Sequence, residues 1–72
     1  MQLDQSQIND IAKAHADEAS KQFMLGRTDD GVCEMQAGML IAQGKVGQYK
    51  TYCRLHQILD QHQLLLKQQV EA

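Results

Sequence analysis

GKVGQYKTYCRLH, residues 44–56, packs two glycines, two tyrosines, a cysteine and a histidine into one short stretch. Whether it opens a packing helix, a DNA-reading helix or half of a metal site decides how the chain folds. Gly44 and Gly47 bracket a break. Beyond them the pattern predicts a helix from about residue 48 to about residue 70, roughly 34 Å long at 1.5 Å per residue. Lys50, Arg54, Gln57, Gln61 and Gln68 form a narrow polar stripe on it. Tyr52, Leu55, Ile58, Leu59, His62, Leu65, Leu66 and Val70 form a wide apolar face, extended sideways by Tyr49, Cys53, His56 and Leu64. Two short neighbours from the same chain would not cover so broad a face, so self-association is expected. Tyr52, Leu55, Leu59, His62 and Leu66 alternate steps of three and four and are the expected interface.

Working back from Gly44, residues Val32, Met35, Met39 and Ala42 make the apolar stripe of a shorter second helix starting near Val32. Thr28, Asp29 and Asp30 are its candidate caps. Further upstream, LDQSQI at residues 3–8 carries a helix start. Asp4 is the N-cap, Gln7 the reciprocal partner and Leu3 the staple onto Ile8. Ile8, Ile11, Ala12, His15, Ala16, Ala19 and Phe23 follow at helical spacing, opposite a charge ladder of Lys13, Asp17 and Lys21. Gly26 ends this helix.

The rest of the composition agrees with helix. Proline is absent, β-branched residues are few, and Gln, Ala and Leu abound, which favours helix over strand. A single domain of 72 residues buries only roughly 60% of its unfolded surface and needs support beyond its own core. Two cysteines allow one bridge at most, and no apolar leader precedes Leu3. A reduced, cytoplasmic setting is expected. No run reaches the ~18 apolar residues of a membrane span.

Metal chemistry has one candidate set: Cys53 and His56 three apart, Asp60 a turn further on, and Cys33 or His15 approaching from another helix. A zinc site needs a second close ligand pair, and none is present. The ordinary role of Cys53 is a small buried thiol beside an amphipathic histidine, so neither metal nor other cofactor is expected. His15 and His62, each on an apolar face, read as core or interface histidines with one hydrogen bond satisfied. On one helix Cys53, His56 and Asp60 point outward side by side, so no catalytic site is expected. DNA binding is the second reading. Lys45, Lys50, Arg54 and Gln57 follow a helix and a Gly-containing turn, and Arg and Gln read base edges. The net charge of −2 counts against a domain that lives on phosphate contacts.

The stretch GKVGQYKTYCRLHQI also resembles an element of small helical accessory and morphogenesis proteins of tailed bacteriophages and prophages. The matching positions are Gly44, Tyr49, Tyr52, Cys53, Leu55 and Ile58. It covers about fifteen residues, and the chain departs from the pattern at His56, Gln57 and Gln61, where such proteins often carry further glycines. The resemblance implies an assembly role beside a phage or host protein, in the host cytoplasm or on the virion, and no catalytic residues. The expected architecture is therefore all-α, with three helices, two long and one short, completed by oligomerisation. The expected function is non-enzymatic interaction or assembly.

Overall fold

The computed structural model describes residues 3–71, with side chains from residue 3 to residue 68. These residues form α1 (Gln5–Met24), α2 (Thr28–Ala42), α3 (Val46–His56) and α4 (Gln61–Glu71), and no strand. The described residues are all-α, but they form four helices where three were expected. No described helix is long and apolar enough to cross a membrane.

α1 starts as its sequence dictates. The Asp4 carboxylate accepts from the Gln7 amide at 2.8 Å, and the Asp4 amide donates back to Gln7 Oε1 at 3.0 Å. This satisfies two of the amides that a helix start leaves free. The helix stops at Gly26, φ 77°, where the Gly26 amide donates to Phe23 and the Arg27 amide to Gln22, a paired arrangement that closes the last turn. Gly44, φ 78°, closes α2 the same way: its amide donates to Ile41, and that of Lys45 to Leu40.

The expected long third helix is split by a third closure of this kind. The Gln57 amide donates to Arg54 and that of Ile58 to Cys53, with Gln57 at φ 57° in the left-handed position that glycine holds elsewhere. Asp60 then starts α4, its Oδ1 accepting from the amides of His62 (3.0 Å) and Gln63 (3.2 Å). A non-glycine residue in the left-handed region costs about 1–2 kcal/mol. Gln57→Gly is therefore expected to stabilise the protein by about 0.5–1 kcal/mol, read from denaturant midpoints. An unbroken helix would instead lose about 1 kcal/mol on the same change.

α1 and α2 pack antiparallel. Phe23 meets Gly31, His15 meets Glu34 and Gly38, and Ile11 shares the core with Ile41. Ile11, Ala37, Ile41, Tyr49 and Cys53 form that core, with Leu3, Leu40, Val46, Tyr52, Ile58 and Leu65 packed around it. α2 differs from expectation in two ways. It starts at Thr28, and no side chain caps it; Asp29 and Asp30 lie in its first turn, where the helix dipole favours them. Its buried face is Gly31, Glu34, Ala37 and Ile41, whereas the expected stripe is exposed: Val32 44%, Met35 47%, Met39 51%. The cause is the close approach of α1. A Cβ on Gly38 would lie 3.3 Å from that of His15, so small residues take the contact and the methionines turn outward.

Splitting the third helix also dissolves the expected interface seam. Tyr52 and Leu55 lie on α3, Leu59 in the connection, and His62 and Leu66 on α4. Leu55 (74%) and Leu59 (61%) are exposed while His62 is buried, so the five residues do not form one stripe. Val70, counted on the apolar face, lies outside the residues whose side chains are described.

Candidate functional site

All four helices contribute to one buried polar chain. His15 of α1 is fully buried; its Nδ1 is 3.2 Å from Glu34 Oε1 of α2, and its Nε2 2.6 Å from the Tyr49 hydroxyl of α3. That hydroxyl also accepts the Gln61 amide, the first of α4, at 3.0 Å. The direction of the chain follows from what each group can give. The Gln61 amide only donates, so the Tyr49 oxygen accepts there and its O–H is free to donate to His15 Nε2; in that tautomer the His15 proton sits on Nδ1, facing Glu34. Burial drives the Glu34 carboxyl up from its usual range, and the His15 imidazole partly offsets this. Burial also pushes the Tyr49 phenol far above its ordinary value, so it acts as a neutral hydrogen-bonding post.

Glu34 reaches the floor of an open cleft of about 400 Å³ between α1, α2 and the α3–α4 connection. Carboxylates from Glu18, Asp30 and Glu34 line it, together with Arg27, Cys33 and His56. Cys33 Sγ lies 3.8 Å from His56 Nδ1, and the His56 ring is stacked on Tyr52 at 4.2 Å between centroids. Burial, and then the neighbouring Cys33, push the Tyr52 phenol up.

The residues read from the sequence as one metal set diverge. Cys53 faces the core, its thiol pushed up chiefly by burial; His56 turns to Cys33; Asp60 caps α4 and pairs with Lys50 at 3.6 Å. No cluster of three or more potential metal ligands occurs among the described residues. Of the residues read for DNA, Lys45 and Arg54 are exposed, Lys50 is tied to Asp60, and Gln57 forms the turn that ends α3. At eleven residues α3 has the length of a recognition helix, but the central Lys50 of its basic stripe is held by Asp60.

Sequence reasoning missed Glu34 and Tyr49. The signal was there: Gly31, Glu34, Gly38 and Ile41 follow helical steps of three and four, and an acid on a small-residue face calls for a buried partner. His15 has the hydrogen-bonded burial expected of it. His62 does not, since neither ring nitrogen has a partner among the described residues. Burial holds its imidazole below the ordinary value, the Lys50 charge adds to this, and Asp60 opposes it. A lowered folded value means the native state binds fewer protons than the unfolded one. The His62 contribution is thus fully present above the unfolded value of about 6.5 and is lost as pH falls through the folded one. His62→Leu is expected to flatten the fall in melting temperature below about pH 6.5 and to gain about 1 kcal/mol at neutral pH by removing unpaired nitrogens. Melts of both proteins across that range decide it; parallel curves would refute the assignment. No family model, curated protein or solved structure matches this chain, so its residues alone carry the functional argument.

Proposed function

We propose that the chain is a non-enzymatic helical interaction protein that assembles with a second copy of itself through the outer face of the α1–α2 hairpin. The observation that carries this reading is the outward methionine stripe. Met35 and Met39 flank a shallow groove of about 240 Å³ lined with the small residues Ala12, Ala16, Gly38 and Ala42. Knobs and hole lie side by side on one surface, as a two-fold interface requires, because each copy must supply both. Methionine suits such a contact, being apolar and adaptable. The phage-like element at residues 44–58 is compatible with an assembly role. Nucleic-acid binding through Lys45, Lys50, Arg54 and Gln57 is the lesser reading, because Lys50 is engaged by Asp60 and the net charge is −2.

The test is light scattering and thermal melting over about a hundredfold range of concentration, where a dimer melts higher as concentration rises. The Met35→Glu, Met39→Glu double variant changes only exposed side chains, so it is expected to be a folded monomer. A wild type that is monomeric throughout, with a constant melting temperature, would overturn the reading.

A further inference from the structure

We propose that Cys33 is a covalent modification site, at which a small cationic disulfide enters the cleft and exchanges with the thiol while His56 handles the proton. The two cysteines differ sharply in setting. Cys53 is enclosed in the core. Cys33 is only half-buried, lines the cleft, and has an imidazole nitrogen 3.8 Å from its sulfur. The pair is built from two helices, Cys33 on α2 and His56 at the end of α3, and the stack on Tyr52 holds the imidazole toward the thiol.

The cleft walls select the partner. Carboxyl groups from Glu18, Asp30 and Glu34 line the cleft with one guanidinium, from Arg27; Glu34 is held by His15 and Glu18 by Lys21, and the acids still outnumber the guanidinium. A disulfide with ammonium arms gains attraction there and one with carboxylate arms is repelled. In the exchange His56 Nδ1, in the tautomer that leaves it free, takes the Cys33 proton. The sulfur attacks the nearer sulfur of the disulfide, that S–S bond breaks, and a Cys33–S–S–R bond forms. The departing thiolate takes the proton back from the imidazolium. The Cys33 sulfur is oxidised, the released sulfur is reduced, and no proton is gained or lost overall.

The experiment treats the intact protein with cystamine (cationic), hydroxyethyl disulfide (neutral) and dithiodiglycolate (anionic), with rates and sites read by mass spectrometry. Each rate is normalised to that of the urea-unfolded chain. Modification is expected at Cys33 alone, with cystamine about tenfold faster than the neutral reagent and the anionic one slowest. His56→Gln is expected to slow all three reagents about tenfold or more. Glu18→Gln with Asp30→Asn is expected to erase the preference for cystamine while leaving the neutral reaction unchanged. Circular dichroism of each variant separates these effects from loss of fold. Labelling at Cys53, a cystamine rate no faster than in the unfolded chain once normalised to the neutral reagent, or indifference to His56→Gln in a folded variant would overturn the proposal.

Discussion

Replacing His15 with Ala is expected to cost roughly 3–5 kcal/mol, because it strands a carboxylate and a hydroxyl in the interior and opens a cavity between α1 and α2. At about 0.05–0.15 kcal/mol per residue a chain of this length has only roughly 4–11 kcal/mol in total. The variant should therefore lose a large share of its stability, as read by helicity and denaturant midpoint. Tyr49→Phe keeps the ring but removes the acceptor for the Gln61 amide and the donor to His15, and is expected to cost about 1–3 kcal/mol. Lys13→Ala, which breaks only the exposed ion pair with Asp17, should change stability by less than about 0.5 kcal/mol. The informative combination is His15→Leu with Glu34→Leu. Removing both polar partners leaves no unpaired charge, so the double variant should be more stable than the single His15→Leu variant, in which Glu34 keeps its carboxyl but loses its partner. A His15→Ala protein that loses under about 1 kcal/mol would show that the buried chain does not hold the four helices together.

Much of the fold was legible where a side chain or a glycine dictates backbone geometry locally. Asp4 and Gln7 start α1, while Gly26 and Gly44 stop α1 and α2, and each does so through hydrogen bonds within a few residues in sequence. The break at Gln57 was not legible in the same way, since glutamine carries no left-handed preference. Its cost is offset by contacts remote in sequence: Ile58 packs on the core and the Gln61 amide reaches Tyr49. Asp60 did carry a cap signal, but in an uninterrupted helical pattern it reads as one more surface acid. The candidate site shows the same division. Cys53 as a buried thiol and His15 as a bonded core histidine follow from their positions on apolar faces. The Cys33–His56 pair depends on how α2 and α3 are set against each other, which the split of the third helix changes.

The contrast between Ile41 and Met39 tests the other place where periodicity misled. Both are large apolar residues on α2, so hydropathy alone gives no reason to bury one and not the other. The packing does: Ile41 is fully buried against Ile11, Tyr49 and Cys53, while Met39 is half-exposed. Ile41→Ala removes aliphatic volume from an enclosed site and is expected to cost about 2–5 kcal/mol. Met39→Ala is expected to cost less than about 0.5 kcal/mol in the isolated protomer, as surface changes usually do. The measurement is urea unfolding at concentrations dilute enough to keep the chain monomeric, because Met39 also serves the proposed contact between copies. At high concentration Met39→Ala should then lower the melting temperature, whereas the Ile41→Ala deficit is already present in the protomer. Equal losses in the dilute protomer would return Met39 to the core and with it remove the methionine face on which self-assembly rests.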